Sequence, residues 1–481
     1  MLTPSEIKTF IDNDAVSDKK RFARTGVRYY EADHDIRGYR VFFVNADGKI
    51  QEDKTKSNIK ISHPFFTELV DQCSQYMLSG KHGFVKSDIP ELQAELDAYF
   101  NENEDFMAEL YDLLTGAQVK GFEYMYAYKN GDERTCFQCA DAMGVVEVRE
   151  KDTDDGCAYV IYWYIDRIGK DGQKIKRIQV WDDKQVAYYC QIGDGGVVPD
   201  MSYKINPRPH ILYRKVGDAS TYFDGFGYIP FFRLDNCKKQ FSALKPIKAL
   251  IDDYDLMSCG LSNNIQDTAE ALYVVKGYEG DNLDALRLNI NSKKMIGVGD
   301  DGDVEIKTID IPYQARETKL SLDEKSIYRF GMGFNSSQVG DGNITNIVIK
   351  SRYAALDLKA NKLEIRLKQF LRKLLKIVLQ EINASKGTDY QQKDVYFHFE
   401  REVITNASDN AQIALTDAQK QQVQINTLLG LANYLDNETL MQNICDVLDI
   451  SYNDIKDKLP QTDDDLYSSI QKALDASSSE K

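Results

Sequence analysis

The stretch between residues 245 and 387 constrains the fold of this chain most, because its pattern runs helix, insert, helix, loop and long helix. In its first part, apolar residues recur every three or four positions from Ile247 to Leu272. This spacing predicts a helix that starts near Pro246 and is roughly 40 Å long. The remaining faces carry mostly acids and amides, namely Asp252, Asp253, Asp255, Asn263, Asn264, Asp267 and Glu270. One apolar seam on an acidic helix predicts packing partners along one side only.

A β-rich insert is predicted between residues 273 and 311. It opens with a strand-like segment at 273–275, and β-branched residues flank an acidic, glycine-containing turn at 299–303. A turn of this composition between apolar segments is typical of a hairpin. Lys293 and Lys294 lie close to this turn.

A second helix is predicted from Pro312 to about Phe330, and a glycine-rich loop follows it. Gly331 and Gly333 open the segment that we expect to be mobile. Its centre has small polar residues, one valine and a single charge: Asn335, Ser336, Ser337, Gln338, Val339, Gly340, Asp341, Gly342 and Asn343. Because links between helices are usually shorter, this length predicts a role beyond connection.

The last helix of the stretch, predicted from about residue 344 to Gly387, departs from the acidic average of the chain. Only Asp357 and Glu364 oppose its nine basic residues between 350 and 376. These are Lys350, Arg352, Lys359, Lys362, Arg366, Lys368, Arg372, Lys373 and Lys376. Two interpretations stay open: a core helix with a solvated basic face, or contact with an acidic neighbour, either another subunit or nucleic acid.

Length and composition bound the class of protein. The 481 residues predict two to four domains or one elongated subunit of an assembly, and the net charge of −16 argues against a surface that grips nucleic acid everywhere. The eight cysteines are scattered, so we expect a reducing compartment. Cys136 and Cys139 form a lone CxxC without the second pair that a zinc site needs. The sequence shows neither a signal-peptide pattern nor an apolar run of transmembrane length.

Outside this stretch, helices flank one β region. Helical periodicity covers residues 1–25, 66–77, 90–114 and 408–459. Between residues 116 and 230, alternating segments are separated by Asn-Gly and Asp-Gly turns, which predicts antiparallel strands. We expect a short strand at 394–399 to return to that sheet. Together these elements predict the α+β fold class.

No motif of catalytic chemistry is present. The sequence lacks the GxxxxGK[ST], HExxH and GxSxG patterns. Acidic doublets such as Asp252-Asp253 and Asp300-Asp301 could hold Mg²⁺ in a nuclease, but doublets of this kind are more often solvated surface or turn residues. We therefore predict no enzyme activity, no catalytic residue, no bound metal and no cofactor.

The order of these elements, together with several short motifs, resembles the tailed-bacteriophage portal proteins of the Siphovirus type found in phages of Gram-positive hosts. The strongest matches are Gly-Tyr-Ile-Pro-Phe-Phe at 227–232, Leu-Lys-Pro-Ile-Lys-Ala-Leu-Ile-Asp-Asp-Tyr-Asp at 244–255 and Asn-Asn-Ile-Gln-Asp at 263–267. Further matches are Tyr30 with His34-Asp35-Ile36, His63-Pro64-Phe-Phe, Gly-Asp-Gly-Asn-Ile-Thr at 340–345 and Leu-Asp-Asn-Glu-Thr-Leu at 435–440. The similarity covers most of the chain, and the order and spacing of the motifs carry it.

The resemblance implies an elongated subunit made of several parts. The N-terminal part of the wing would be 1–240, the first stem helix 241–272, the clip 273–311, the second stem helix 312–331 and the tunnel loop 332–343. Residues 344–404 would supply the long basic helix and the return strand of the wing, and 405–481 the helical crown with a flexible tail.

The resemblance also implies a homo-oligomeric ring of about twelve copies around a channel for double-stranded DNA. The ring would serve DNA packaging and ejection at the portal vertex of the virion, after assembly in the host cytoplasm and without membrane contact. Its implied partners are the terminase large subunit at the clip, a head-completion (adaptor) protein, and the major capsid and scaffolding proteins. Acidic stem helices would repel phosphate and keep DNA from sticking to the channel wall.

Two other functions remain compatible with the sequence. A metal-dependent nuclease or head-processing enzyme of a phage would need the acidic doublets to converge in space. A monomeric or dimeric binding protein would fit the composition equally well, and a mass measurement separates it from a ring.

Overall fold

The computed structural model describes fourteen parts of the chain: residues 2–45, 47–54, 56–131, 134–149, 156–169, 172–214, 221–268, 272–276, 303–307, 313–335, 346–402, 407–432, 434–448 and 450. The chain divides into two compact units, one formed by residues 1–339 with 353–402 and the other by 340–352 with 403–481. Helices and antiparallel sheets are mixed along the chain, which confirms the predicted α+β class.

The N-terminal helix predicted for residues 1–25 is two helices, α1 (Pro4–Ala15) and α2 (Asp18–Tyr30). The chain breaks between them because Ser17 adopts an extended backbone and its side chain accepts a hydrogen bond from the backbone N–H of Lys20. Serine is a favoured N-cap because its hydroxyl satisfies an N–H that the helix leaves unpaired.

A hairpin, a short strand and three helices lie between α2 and the main β region. They are β1 (Phe42–Val44), β2 (Ile50–Glu52), α3 (Phe65–Met77), β3 (Val85–Lys86), α4 (Pro90–Leu96) and α5 (Glu104–Lys120). The single helix predicted for 90–114 is therefore interrupted. A π-helical turn at Asp97–Asn101 ends the first part, and Asn103 caps α5 by accepting from the backbone N–H of Phe106.

The predicted antiparallel region is confirmed, and it contains more than one sheet. Its strands are β4 (Phe122–Lys129), β5 (Thr135–Ala140), β6 (Val145–Val148), β7 (Tyr159–Ile168), β8 (Lys174–Trp181), β9 (Gln185–Ile192), β10 (Val198–Pro199), β11 (Arg208–Pro209), β12 (Ile211–Arg214), β13 (Thr221–Asp224) and β14 (Phe231–Asp235). One sheet has the order β10-β9-β8-β7-β6, with β11 also paired to β9. A second sheet has the order β14-β4-β5, and β12 pairs with β13.

Helix α1 covers one face of the larger sheet. Ile7 and Ile11 are buried in a core with Ile161, Ile178 and Tyr189 of the strands. Because strand side chains alternate between faces, every second residue of β7, β8 and β9 is available for such a core. Helix α1 thus packs against strands that lie more than a hundred residues later in the sequence.

The second half of the first unit contains the predicted helices and insert. Its elements are α6 (Lys248–Thr268), β15 (Leu272–Lys276), β16 (Asp303–Lys307), α7 (Tyr313–Gly331), α8 (Asn346–Lys386) and β17 (Tyr396–Phe397). Helix α8 ends where predicted, at Gly387, whose φ of +69° suits a residue without Cβ. Strand β15 pairs antiparallel with β16, and the segment 295–298 of the predicted hairpin lies outside the described residues.

The expected return of the 394–399 strand to the main β region is wrong. Strand β17 pairs with β3, in the register Phe397 to Val85. The Ser87 hydroxyl also donates to the backbone oxygen of Asp394, at 2.7 Å. Within the described residues β3 has no other strand partner, so its free edge accepts β17 where the chain leaves α8.

The apolar seam of α6 is buried by three other helices. Ile251 of α6 shares a core with Tyr29 of α2, Leu69 of α3 and Ile327 of α7. The partners of α6 include α2 and α3 as well as α7. The predicted packing along one side only is wrong, because acids outside the seam are also covered or paired: Asp255 is fully buried and Asp253 binds Lys319 of α7. Further along the helix the seam opens, since Ile265 is 57% exposed.

The second unit contains two described helices, α9 (Ala407–Gly430) and α10 (Asn437–Val447). Leu440 and Ile444 of α10 pack against Leu428 and Leu429 of α9. Asp436 caps α10 by accepting from the backbone N–H of Thr439. These helices agree with the periodicity seen between residues 408 and 448.

Candidate functional site

An extended segment, residues 57–63, lies along α6, and we call it the strap. Every second backbone N–H of the strap donates a hydrogen bond to a side chain of α6. The pairs are Ser57 to Asp267 Oδ1 (3.1 Å), Ile59 to Asn263 Oδ1 (2.6 Å), Ile61 to Cys259 Sγ (3.2 Å) and His63 to Asp255 Oδ1 (3.0 Å). Donors two residues apart meet acceptors four residues apart, and the strap runs antiparallel to the helix.

Two repeat distances explain this pairing. Alternate residues of an extended chain lie about 6.6–6.8 Å apart, and residues four apart in an α-helix lie about 6.0 Å apart. Because residues i and i+4 share one face of a helix, α6 presents its short polar side chains as a row of acceptors. The row accepts hydrogen bonds from backbone N–H groups of the strap, which is not paired with a strand in the described structure.

The strap changes the interpretation of three residues that were predicted to line a channel. Asp255 is fully buried, so it does not face open space. Asn263 is half-buried beneath the strap, and Asp267 remains exposed while it accepts from Ser57. The strap itself was missed from sequence. The signal that could have revealed it is the spacing of four between Asp255, Cys259, Asn263 and Asp267.

The other acids of α6 bind cations of the same chain. Asp252 accepts from the Tyr29 hydroxyl and from Lys248 Nζ at 2.7 Å. Asp253 pairs with Lys319 of α7 at 2.5 Å, and Lys319 also binds the buried carboxylate of Asp323. These contacts tie the two helices together and neutralise part of the acidic face.

Two predicted residues of this helix remain, Asn264 and Glu270. The amide of Asn264, oriented so that both of its polar atoms are satisfied, accepts from Arg316 of α7 at 2.9 Å. Glu270 lies outside the described residues. The α6 to α7 contact therefore includes polar side chains of both helices.

A buried ionic group lies where the strap meets α6. Asp255 accepts from Nδ1 of His34 at 2.6 Å and from Nδ1 of His63 at 2.7 Å. Nε2 of His34 faces the backbone oxygen of Tyr29 at 3.2 Å. Both ring nitrogens of His34 thus lie within hydrogen-bond distance of an oxygen. Burial opposes ionisation of Asp255, but the hydrogen bonds from the two histidines outweigh it and lower the pKa of Asp255.

The basic residues of α8 have three different environments. Lys359 donates to the backbone oxygen of Leu69 at 3.0 Å, and burial lowers the pKa of Lys359. Lys368 pairs with Glu364 at 2.7 Å, and Arg372 lies near the ring of Phe397. Among the described residues, four form no ion pair: Lys362, Arg366, Lys373 and Lys376. The other two, Lys350 and Arg352, belong to the second unit.

The two acids of this helix are already paired by one arginine. Arg401 donates to Asp357 at 3.3 Å and to Asn361 at 2.6 Å, and it also pairs with Glu364. Because Arg401 neutralises these acids from within the same unit, the exposed side of α8 keeps its positive charge.

The predicted tunnel loop and clip lie mostly outside the described residues. Asn335 is described, and its side chain donates to Glu324 of α7 at 2.9 Å. Residues 336–343 are outside the described ranges, as are Lys293 and Lys294 of the insert. The described part of the insert is the β15 to β16 pair, which joins the ends of α6 and α7.

Two glycines assigned to the mobile segment are instead tightly packed. Gly331 is buried at the end of α7, and a Cβ at either Gly331 or Gly333 would overlap the side chain of Leu69. The predicted mobility of these two positions is wrong, because the glycines allow a close approach to α3.

The cysteines and the possible metal ligands of the described chain form no cluster. All eight cysteines are free thiols, so the lone CxxC forms no disulfide. Within the described ranges, no group of three or more histidine, cysteine, aspartate or glutamate side chains is arranged to hold a metal ion. Among the helices described, none combines the length and apolarity needed to span a lipid bilayer.

The comparison with protein families defines the class of this chain. The model of the family described as phage portal protein, SPP1 Gp6-like, matches residues 11–449. The chain therefore belongs to this family of phage portal proteins. It is a structural component of the phage virion, not an enzyme, and the resemblance inferred from its motifs is confirmed.

Two relatives show how far the similarity extends. The chain is 29% identical over 392 residues to the portal protein of Bacillus phage SPP1, covering 80% of this chain and 75% of that protein. It is 24% identical over 427 residues to the portal protein of Clostridium phage phiCD119 (strain Clostridium difficile/United States/Govind/2006), covering 85% and 88%. Both alignments span most of each protein.

Proposed function

We propose that this portal protein assembles into a closed ring of about twelve copies around a channel for double-stranded DNA. The ring occupies one vertex of the capsid and serves DNA packaging and ejection. The observation that carries the proposal is the portal-family match over residues 11–449. Head-to-tail contacts close into a ring when each copy offers two different, complementary surfaces.

Helices α6 and α7 form the stem of each copy, and the insert at 273–311 forms the clip. The pairing of β15 with β16 supports this assignment, because the insert leaves and returns at the same end of the helix pair. The acids of the stem that remain exposed repel phosphate and let DNA slide. Among the described residues of α6 and α7, Asp267 and Glu317 are acids with this exposure. Residues 1–240 and 344–404 form the wing and 405–481 the crown.

The clip binds the terminase large subunit during packaging and a head-completion protein afterwards. Lys293 and Lys294 give the insert a basic pair that suits an acidic partner. Replacing residues 279–300 by a short turn keeps β15 and β16 and removes the pair. Rings should form normally and packaging should stop; packaging that continues at the normal rate contradicts the assignment.

The loop at 332–343 lines the narrowest part of the channel. The described residue Asn335 donates to Glu324 of α7, and the other eight residues of the polar centre of the loop, 336–343, follow it in sequence. Arginines at Ser336 and Ser337 should slow packaging by attracting phosphate, more strongly at low salt. Threonines at the same positions are the matched control. Equal packaging rates for both variants would place the loop away from DNA.

Assembly takes place in the host cytoplasm, together with the scaffolding and major capsid proteins. The first test is the mass of the purified chain, measured by mass photometry over a range of concentrations, with negative-stain images of the particles. We expect closed rings of about twelve copies. A chain that stays monomeric at all concentrations, and in phage particles, overturns the proposal.

A further inference from the structure

The outer side of α8 is an exposed ridge that nothing described in the chain covers. Its residues follow steps of three and four: Ala354, Leu358, Lys362, Ile365, Gln369, Arg372 and Lys376. All of them are exposed, and two are large and apolar, Leu358 at 58% and Ile365 at 62%. Such a stripe on the opposite side from the buried leucines of the same helix is typical of a surface that packs against another helix.

A cavity lies beside this ridge. It has a volume of about 570 Å³, and its wall is mainly apolar, with Phe241, Pro246 and Phe330. Three lysines also line it: Lys245, Lys359 and Lys362. No acid lines the cavity, and Lys362 belongs to both the cavity and the ridge. Ridge and cavity thus form one continuous surface, apolar at its centre and positively charged, which we call the basic surface.

Elsewhere on the same unit the charge is opposite. Between Asp88 and Val119 the sequence contains nine acids and no lysine, arginine or histidine. The acids are Asp88, Glu91, Glu95, Asp97, Glu102, Glu104, Asp105, Glu109 and Asp112. Among the described residues only Glu95 forms an ion pair, with Lys386. We call residues 88–119 the acidic segment.

We propose that the basic surface of one copy binds the acidic segment of a second copy. Two basic surfaces repel each other, so this contact joins two different faces and is heterologous. Residues 354–376 of the same unit carry seven positive and two negative charges, against nine negative charges in the acidic segment. The exposed Leu358 and Ile365 then pack between charged residues, as the apolar core of an interface does inside a polar rim. This inference rests on the proposed ring and names the surfaces that close it.

The test uses two charge-reversed variants of the full chain. The first changes Lys362, Arg372 and Lys376 to glutamate, and the second changes Glu102, Asp105 and Asp112 to lysine. We expect each variant alone to form rings only at higher concentrations than the natural chain, because the reversals change the net charge of residues 354–376 from +5 to −1 in the first variant and that of residues 88–119 from −9 to −3 in the second. In an equimolar mixture, the reversed residues of one variant can face the reversed residues of the other, so opposite charges meet again at those positions and rings should form. Recovery in the mixture also shows that both variants are folded.

A control variant reverses three exposed lysines on other elements, Lys8, Lys174 and Lys184, which form no ion pair among the described residues. Its rings should persist. If the first variant forms rings as well as the natural chain, or if the mixture stays unassembled, the proposed contact is wrong while the ring itself stands. If the first variant still forms rings but no longer binds a DNA duplex, α8 contacts nucleic acid instead. A natural chain that forms no ring overturns the proposed function rather than this contact alone.

Discussion

The carboxylate of Asp255 accepts a hydrogen bond from Nδ1 of His34 at 2.6 Å, and both side chains are fully buried. The two residues are 221 positions apart in sequence. Their hydrogen bond fixes the turn after α2 against the middle of α6. Because a buried carboxylate is costly without its hydrogen-bond partners, this contact controls how the N-terminal helices attach to α6.

Changing Asp255 to alanine should therefore destabilise the fold strongly. The loss removes the acceptor shared by His34, His63 and the backbone N–H of His63, and a buried donor left without an acceptor costs about 1–3 kcal/mol. Urea unfolding at pH 7 measures the change. The matched control is Asp18→Ala, since Asp18 pairs with Arg21 at 2.9 Å on the open surface, where such pairs contribute about 0–1 kcal/mol. Equal losses in both variants would contradict a special role for the buried pair.

The same carboxylate predicts a loss of stability in acid. Its pKa is lowered in the folded state, so its contribution is fully present above the unfolded value near 3.8 and is lost as the pH falls through the folded value. The free energy of unfolding of the natural chain should therefore fall more steeply below pH 4 than that of Asp255→Asn. Parallel curves for the two proteins would refute this assignment.

Glu123 predicts the opposite dependence on pH. Burial raises the pKa of Glu123 to about 7, although Lys120 lies beside it. A raised carboxyl pKa means that stability declines as the pH rises from the unfolded value of 4.5 toward 7. Glu123→Gln keeps an oxygen for the backbone N–H of Ala142, and Lys120 keeps Asp141 at 2.7 Å.

We expect Glu123→Gln to remove this decline between pH 5 and pH 7. Urea unfolding at four pH values across that interval, for both proteins, measures it. Since one pKa unit corresponds to about 1.4 kcal/mol, the difference in slope is large enough to detect. A variant whose stability declines as steeply as that of the natural chain would show that Glu123 is ionised throughout.

Proline substitution separates the two kinds of position in the strap. Ile59→Pro removes a backbone N–H that donates to Asn263, whereas the backbone N–H of Lys60 has no partner on α6. Proline fits extended backbone, so loss of the donor is the main effect. We expect Ile59→Pro to cost about 1–3 kcal/mol and Lys60→Pro less than about 1 kcal/mol. Thermal unfolding measures both, and a larger loss for Lys60→Pro would overturn the alternating pattern.

Gly333 should not tolerate a side chain. A Cβ there would overlap Leu69, and forcing extra volume into a packed site costs about 1–3 kcal/mol. Gly131 has open space around it, so Gly131→Ala should change stability by less than about 0.5 kcal/mol. Differential scanning calorimetry of the two alanine variants makes the comparison. An unchanged melting temperature for Gly333→Ala would show that α3 and the end of α7 separate easily.

The elements predicted well from sequence are those whose signals are local. The spacing of apolar residues in α6, α7 and α8 depends only on the helical repeat, and Gly387 ends α8 because a positive φ suits glycine. The acidic and basic segments are equally visible in sequence. Breaks inside predicted helices were harder, since Ser17 and Asn103 compete with the apolar pattern through single hydrogen bonds.

The features missed from sequence depend on residues far apart in the chain. The strap binds α6, which lies about two hundred positions later in the sequence. Strand β17 pairs with β3, whose edge is otherwise unpaired in the described structure. The role of Asp255 changed for the same reason, since its partners come from two distant segments. A list of polar residues on α6 shows which side chains can accept hydrogen bonds, but not which backbone supplies the donors.

The strap and α6 have different repeat distances, so their hydrogen-bonding groups fall progressively out of register. Each step along the strap is longer than the matching step along the helix by about 0.6–0.8 Å, so four consecutive bonds accumulate an offset of roughly 2 Å. A hydrogen bond tolerates only a few tenths of an ångström around its preferred length, and small displacements of the side chains absorb the rest. The mismatch therefore sets an upper length on such a segment, and a strap extended in either direction would have to coil around the helix or detach from it.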